Sequence, residues 1–237
     1  MEWTIGWWQI SVNRVYPTTS QLSKTYNQAA CWWHQHLRFF GYDYAYRQLW
    51  RSLKNTNILP DSKDFSTICD CGIGTAAFSL AFAQTINSTT QITGVDISSE
   101  MLKIAHQKLY QANIKHQICQ SNINQLPFAD YSFDGAISAH TLEHLPNPGQ
   151  GLQEMIRILR PGAPLVLVVT RSGLLGTLIQ SHWGNRCFHQ EELGLFMSKA
   201  GLTQVQFFSF PFGLARFTSI ACVGFTRESA KLLNVSS

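Results

Sequence analysis

Short apolar runs alternate with helical patterns from Phe65 to about residue 170, and this alternation constrains the fold of the 237-residue chain more than any other feature. The strand-like runs are residues 65–70, 91–96, 115–120, 133–139 and 163–170, and the helical patterns between them are residues 75–84, 99–112 and 149–159. This order is typical of a parallel sheet covered by helices on both faces. With two further runs at 203–210 and 218–225, it predicts an α/β fold: a Rossmann-like, doubly wound, mostly parallel seven-stranded sheet.

The segment before the first strand has a different pattern. Nine aromatic residues lie between Tyr26 and Trp50, and their spacing on either side of Gly41 fits two helices. We therefore predict an N-terminal helical cap over residues 1–60 and a ligand-binding domain over residues 61–237.

Charge and hydropathy narrow the set of partners. The formal net charge of +4 is too small and too dispersed to require a polyanion, so no nucleic-acid partner is predicted. The longest aliphatic run, Leu165 to Val169, is far shorter than the ~20 residues that cross a bilayer. The start of the chain lacks the features of a secretory signal, which predicts a cytoplasmic protein. Three tryptophans among the first ten residues leave two alternatives open, peripheral membrane contact or packing against the cap.

A glycine turn follows the first strand of the alternating region. Gly72 and Gly74 allow the backbone to approach a ligand closely, and the helix that begins near Thr75 offers unpaired N–H groups. The same pattern fits the dinucleotide motif G-x-G-x-x-G/A, so a nicotinamide-dependent oxidoreductase is an alternative. Asp70 favours a ligand that carries a cation at this point, because its carboxylate would repel a diphosphate.

Polar residues at the ends of the next two strands predict an adenosine site. Asp96 ends the second strand, where a carboxylate can accept hydrogen bonds from ribose hydroxyls. Asn122 follows the third strand and can present its amide to an adenine edge, although an ordinary loop asparagine is the alternative. The residues that follow these two, Ile97 and Ile123, complete the predicted adenosine site.

Taken in order, these motifs resemble those of class I S-adenosylmethionine-dependent methyltransferases, and the small-molecule group that includes quinone-biosynthesis enzymes is the most similar. The resemblance covers roughly residues 65–170 and is carried by the segments DCGIGT, GVDIS, SNINQLPF, YSFDGAISAHTLEHL and IRILRPGAPLVLV. The chain departs from the family pattern at Ala76, where a third glycine is common, and at Asn122, where aspartate is usual. These departures are the sequence support for another alternative, a non-catalytic cofactor-binding module with the same fold.

The resemblance implies S-adenosylmethionine as the cofactor of residues 61–237. Its ammonium would meet Asp70, its ribose would meet Asp96, and backbone N–H groups from Gly72 to Thr75 would receive its carboxylate. The family segment Tyr-x-x-x-Ala-x-x-aromatic matches residues 26–33, which implies that Tyr26 and Trp33 cover the methionine end of the cofactor. The alternative is that these aromatics only pack the cap onto the sheet.

The acceptor is predicted to be a small apolar or aromatic molecule, with quinone- and lipid-like compounds among the candidates. A methyl group on a sulfonium is already activated, so a general base is needed only if the acceptor must lose a proton. His140 and His144 follow the fourth strand and are the candidates for that base, and a structural role is the alternative for each. Some quinone O-methyltransferases hold magnesium with Glu-x-x-Glu-His; Glu143 and His144 match this pattern, but His140 does not, so no metal is predicted.

Overall fold

The computed structural model describes residues 2–5, 8–11, 19–61, 64–173, 175–177 and 186–228. Its strands are β1 (Glu2–Ile5), β2 (Trp8–Ser11), β3 (Thr67–Cys71), β4 (Gln91–Asp96), β5 (His116–Gln120), β6 (Gly135–Ala139), β7 (Pro164–Thr170), β8 (Thr203–Ser209) and β9 (Ser219–Phe225). Its helices are α1 (Thr19–Phe39), α2 (Tyr42–Asn55), α3 (Ala77–Thr85), α4 (Ser99–Gln111), α5 (Pro148–Arg157), α6 (Gln190–Lys199) and α7 (Ala215–Thr218), with a 3₁₀ turn at Leu142–His144.

The main sheet has seven strands in the order β5-β4-β3-β6-β7-β9-β8, which confirms the predicted fold class. Strands β3 to β7 pair in parallel with one another, and β9 is antiparallel to both β7 and β8. All seven residues of β7 are buried, which explains why this strand has a continuous apolar run rather than an alternating one. The chain runs outward in opposite directions from β3 and β6, so the switch point of the sheet lies between these two strands.

Helix α2 is part of the core of the sheet domain. Trp50 is fully buried, its ring stacks on Phe78 of α3 at 4.8 Å, and its indole N–H donates to the Phe78 carbonyl at 3.3 Å. Leu49 and Leu53 belong to the same buried apolar cluster as the α3 residues. The structure confirms the two predicted helices on either side of Gly41, whose φ of 72° turns the chain between them. The division into two domains at residue 60 remains a prediction.

The tryptophan-rich N-terminus contributes a small separate hairpin. Strands β1 and β2 pair in antiparallel register, with Trp3 opposite Ile10. The side chains of Trp3, Trp7 and Trp8 lie outside the described residues, and so does the predicted membrane contact. Among the helices described, none combines the length and the apolar character that a membrane span requires.

Candidate functional site

A cavity opens at the carboxyl ends of the parallel strands, beside the switch point of the sheet. Open α/β sheets bind their ligands at this position. The cavity is lined by eleven residues that the sequence predicts for the site, namely Tyr26, Asp70, Gly72, Gly74, Thr75, Asp96, Ile97, Asn122, Ile123, His140 and His144. The structure therefore brings these residues together, while the role of each remains a prediction.

The turn between β3 and α3 needs both of its glycines, for different reasons. Gly72 has a φ of 83°, and a Cβ on it would lie 2.1 Å from Oγ1 of Thr141. Gly74 has a φ of 52° with no atom within 4 Å of its hypothetical Cβ, so only its backbone conformation favours glycine. Ala76, at the position where the family often has a third glycine, also has a left-handed φ of 64°. The alanine adopts the backbone of a glycine there at a cost of about 1–2 kcal/mol.

Three N–H groups of this turn are already used within the protein. The N–H groups of Gly72 and Ile73 donate to the Val95 carbonyl at 2.7 and 2.9 Å, and that of Gly74 donates to Oδ2 of Asp96 at 2.9 Å. The resemblance implies instead that backbone donors from Gly72 to Thr75 receive a ligand carboxylate. The structure differs because the turn folds back onto the end of β4, a contact that the local motif does not encode.

Asp70 lines the cavity and has one buried carboxylate oxygen without a hydrogen-bond partner. Its Oδ2 accepts a hydrogen bond of 2.5 Å from Ser79 Oγ, whereas its buried Oδ1 has no hydrogen-bond partner. Burial raises the pKa of Asp70 from 3.8 to about 7, opposed by the bond from Ser79 and reinforced by the charge of Asp96. A buried carboxylate with an open oxygen is unfavourable unless a cation or donor pairs with it. The site is therefore suited to a ligand that brings a positive group to Asp70.

Asp96 is held by backbone donors in one orientation. Its Oδ1 accepts from the N–H of Ser98 and its Oδ2 accepts from the N–H of Gly74, both at 2.9 Å. Burial raises the pKa of Asp96, and these backbone hydrogen bonds oppose that rise. Each carboxylate oxygen can accept a second hydrogen bond, so Asp96 can still receive two hydroxyls of a ligand.

Asn122 is committed in part to its own loop. Its Oδ1 accepts a hydrogen bond of 3.0 Å from the N–H of Asn124. The side-chain NH2 is then the polar group that Asn122 can offer to a ligand, and an aspartate would lack it.

Helix α1 is attached to the end of β4 by polar contacts around the cavity. Asn27 Oδ1 accepts from Ser98 Oγ at 2.6 Å and from the N–H of Glu100 at 3.4 Å. Tyr26, the preceding residue, lines the cavity and contacts His144 edge-on at 5.7 Å between ring centroids. Burial, with the charges of Asp96 and Glu143, raises the pKa of Tyr26, so its hydroxyl stays protonated. The predicted role of Trp33 falls outside the described side chains.

His140 lies at the end of β6 with an unusual backbone conformation. Its φ of 54° is left-handed, which is uncommon for a residue other than glycine. Its Nδ1 is 3.0 Å from Oε1 of Glu143, a carboxylate that is completely buried. Burial raises the pKa of Glu143, but the contact with His140 outweighs it, with help from the charge of His144 and the Thr170 hydroxyl, and the net pKa is lowered.

His144 has a different environment in the same cavity. It is half-buried and packs against the Tyr26 ring, and burial lowers its pKa despite the nearby charge of Glu143. In the part of the chain that the structure describes, no three His, Cys, Asp or Glu side chains are grouped so that they could hold a metal ion.

Several lining residues carry no local sequence signal. The cavity is also lined by Tyr46, Ile73, Ala77, Phe78, Met101, Ser121, Ala139, Thr141, Leu145 and Pro146. Most are apolar residues whose spacing predicts only a core-facing helix or strand. Tyr46 belongs to the predicted aromatic cluster of the cap, but its contact with this cavity depends on how α2 packs on α3.

Comparison with known proteins gives one domain match and a set of enzyme relatives. A family model described as a methyltransferase domain matches residues 69–167. The demethylmenaquinone methyltransferase of Porphyromonas gingivalis is 34% identical over 156 residues, which cover 64% of this chain and 61% of that protein. The demethylmenaquinone methyltransferase of Desulfitobacterium hafniense is 38% identical over 127 residues, covering 52% and 49%. The chain thus spans about half to three fifths of the length of these two relatives.

Solved structures share the fold at low sequence identity. The cyclase SpnF matches with a TM-score of 0.68 at 16% identity, covering 90% of this chain and 98% of that one. A SAM-dependent methyltransferase from Aquifex aeolicus matches with a TM-score of 0.59 at 17% identity, covering 88% and 98%. At these identities the similarity concerns the fold alone.

Proposed function

This chain belongs to the class I S-adenosylmethionine-dependent methyltransferases, and from that premise we propose that it methylates a small apolar or aromatic acceptor. The observation that carries the proposal is the buried, unpartnered Oδ1 of Asp70 in the wall of the cavity. S-adenosylmethionine, when bound, supplies a methyl group on a sulfonium, together with an ammonium, a ribose and an adenine. These groups match the chemistry of the cavity wall.

The residues of this chain would hold the cofactor by complementary polar groups. Asp70 would pair with the ammonium, and the free lone pairs of Asp96 would accept the ribose hydroxyls. Asn122 would offer its NH2 to the adenine. Tyr26, which stays protonated beside the acids, would cover the amino-acid end and exclude water.

A dinucleotide fits the same wall poorly. Phosphate-binding turns depend on free backbone N–H groups at a helix start. Here those of Gly72, Ile73 and Gly74 are donated to Val95 and Asp96, and the ionised form of Asp70 adds negative charge to the same cavity. These contacts favour a cationic ligand over a nicotinamide dinucleotide.

Part of the cavity lining is apolar, and this part suits the acceptor. Tyr46, Phe78 and Leu145 line it, and Phe78 and Tyr46 contact each other at 5.0 Å between ring centroids. Holding an acceptor in line with an activated methyl group can by itself lower the barrier by about 7–11 kcal/mol. The named relatives act on demethylmenaquinone, and the apolar lining supports a related quinol as the acceptor of this chain.

Equilibrium titration tests the cofactor assignment. We expect S-adenosylmethionine and S-adenosylhomocysteine to bind and NAD⁺ not to bind. Asp70→Asn keeps the shape of the side chain but removes its charge, so it should weaken S-adenosylmethionine binding by about 1.5–3 kcal/mol, the value of a hydrogen bond to a charged group. If the folded Asp70→Asn variant bound S-adenosylmethionine as tightly as the wild type, the proposed contact between Asp70 and the ammonium would be wrong. Binding of NAD⁺ alone would overturn the proposal.

Mass spectrometry tests the transfer. Protein, isotopically labelled S-adenosylmethionine and demethylmenaquinone reduced to its quinol should yield a labelled product. If another compound from a lipid extract were labelled instead, the protein would still be a methyltransferase, but its acceptor would not be the quinol. Tight cofactor binding without any labelled product would instead favour the non-catalytic module.

A further inference from the structure

Backbone strain marks His140 as a residue with more than a packing role. Its φ of 54° places a histidine where a glycine would be unstrained, at the point where β6 enters the cavity. The surrounding structure holds this conformation, since the His140 N–H donates to the Val168 carbonyl at 2.8 Å. Residues held in such conformations concentrate at active sites.

Glu143 fixes the tautomer of His140. Oε1 of Glu143 is 3.0 Å from His140 Nδ1, and it also accepts from the Thr170 N–H at 3.1 Å and the Thr170 hydroxyl at 2.7 Å. A carboxylate can only accept hydrogen bonds, so the proton of a neutral His140 ring must be on Nδ1. The lone pair is then on Nε2, the nitrogen that can take up a proton.

One hydroxyl lies beside that basic nitrogen, and a second hydroxyl contacts the first. Ser219 Oγ lies 3.3 Å from His140 Nε2, and the Tyr42 hydroxyl lies 3.2 Å from Ser219 Oγ. The Tyr42 ring also meets the His140 ring edge-on at 5.7 Å between centroids. The protein thus places the Ser219 hydroxyl beside Nε2, and His140 lines the cavity. An acceptor hydroxyl would replace Ser219 as the partner of this nitrogen.

We propose that His140 is the general base for an acceptor that carries an ionisable hydroxyl, in the class of phenols and hydroquinones, and that Glu143 is its positioning residue. This rests on the proposed methyl transfer. The acceptor O–H bond breaks, its electron pair stays on the acceptor, and the proton forms a bond to His140 Nε2. The resulting imidazolium is balanced by the ionised Glu143, while the acceptor becomes a better nucleophile for the methyl group.

His144 does not have this arrangement. The contact recorded for its ring is with Tyr26, and Oε1 of Glu143 is directed to His140 and Thr170. Of the two histidines predicted from the sequence, the geometry selects His140 as the base.

The backbone conformation supplies the test variant. His140→Gly removes the imidazole and suits the left-handed backbone, but it also takes a partner from the buried Glu143 carboxylate. Thermal unfolding therefore has to show that the variant is folded before it is assayed. Tyr131→Gly is the matched control, because Tyr131 also has a left-handed φ of 58° but its side chain is 60% exposed, and it is not among the cavity residues.

A binding experiment without cofactor measures proton transfer from a bound phenol directly. 4-Nitrophenol is added at the pH where the free probe is half ionised, and the visible band of the phenolate is measured. We expect the wild type and Tyr131→Gly to bind the probe in a more ionised form than solution, and His140→Gly to lose this effect. An equal ionised fraction in wild type and His140→Gly would overturn the proposal.

An activity experiment gives the second measurement. With the reduced quinone acceptor, His140→Gly should lose at least about 100-fold in kcat, within the usual contribution of a general base. Added imidazole should restore part of this loss in His140→Gly and leave Tyr131→Gly unchanged. Glu143→Gln should lower kcat at least tenfold while the affinity for S-adenosylmethionine stays constant.

Full activity of His140→Gly without imidazole would also overturn the role of His140. These outcomes are separable from failure of the proposed function. If the wild type does not bind S-adenosylmethionine, methyl transfer fails as a function, whereas the nitrophenol measurement still decides whether His140 accepts a proton.

Discussion

The ionisation of Asp70 predicts a pH dependence of cofactor binding. Burial raises the pKa of this carboxyl to about 7 in the ligand-free protein, whereas an ammonium group requires the ionised form. Binding must therefore displace a proton at acidic pH. For a pKa near 7, the ionised fraction falls about thirtyfold between about pH 8 and about pH 5.5, which corresponds to about 2 kcal/mol of binding free energy.

The stability of the ligand-free protein should change in the opposite direction. Because the folded-state pKa of Asp70 is raised above its ordinary value of 3.8, the folded protein holds this proton more tightly than the unfolded chain does. The contribution of Asp70 to the free energy of unfolding is therefore most favourable below pH 3.8, and it declines as the pH rises towards 7. The same carboxyl thus weakens the ligand-free fold in the pH range where it strengthens binding.

Isothermal titration calorimetry across this pH range checks the reasoning. In the wild type, Kd for S-adenosylmethionine should rise steeply below pH 7, and titrations in buffers of different ionisation enthalpy should show proton release. Asp70→Asn should bind weakly with a nearly flat pH profile, which separates Asp70 from Asp96, whose pKa is also raised by burial. A wild-type Kd that stays constant over the whole range would refute the assignment.

Three further predictions concern the turn and helix α1. In chemical denaturation, Gly72→Ala should lower the free energy of unfolding by about 2–4 kcal/mol, because its Cβ would meet Thr141. Gly74→Ala should lower it by only about 1–2 kcal/mol, because only its backbone is strained. Equal losses for the two variants would contradict the contact with Thr141. Ala76→Gly should raise the thermal midpoint by relieving a φ of 64°, and an unchanged or lower midpoint would argue against strain. Asn27→Ala should increase the dissociation rate of S-adenosylhomocysteine in stopped-flow measurements by loosening α1, while Asn27→Asp keeps the acceptor oxygen and should stay near the wild-type rate.

The sequence predicts the sheet and the residues that line the site because both follow from local patterns. Buried parallel strands need continuous apolar runs, and ligands bind at the carboxyl ends of such strands, so the grouping of Asp70, Asp96 and His140 at one edge of the sheet follows from the strand pattern alone. The use of the turn N–H groups by Val95 and Asp96 depends on how β3 lies against β4. No motif within either segment encodes that contact.

The environment of His140 shows the same limit more clearly. Its hydrogen-bond neighbours Thr170 and Ser219 are 30 and 79 residues away in the chain, so they become neighbours only when β7 and β9 pair beside β6. The sequence gives Glu143 no role, since no metal is predicted, whereas the structure pairs it with His140 and Thr170. The local sequence therefore predicts where His140 lies in the fold, but the hydrogen-bond partners of its side chain depend on the tertiary structure.

Several unfavourable features of this fold lie at one place. An unpaired oxygen on Asp70, the left-handed backbones of Ala76 and His140, and the buried Oε2 of Glu143, which lacks a hydrogen-bond partner, all lie at or beside the cavity. Each costs stability in the ligand-free protein, and local inconsistencies of this kind are expected where function has been selected over stability. A cationic cofactor would compensate the carboxyl, and a protic acceptor would use the strained histidine. Substitutions that relieve these features should therefore stabilise the fold and reduce methyl transfer together, since the same groups carry both effects.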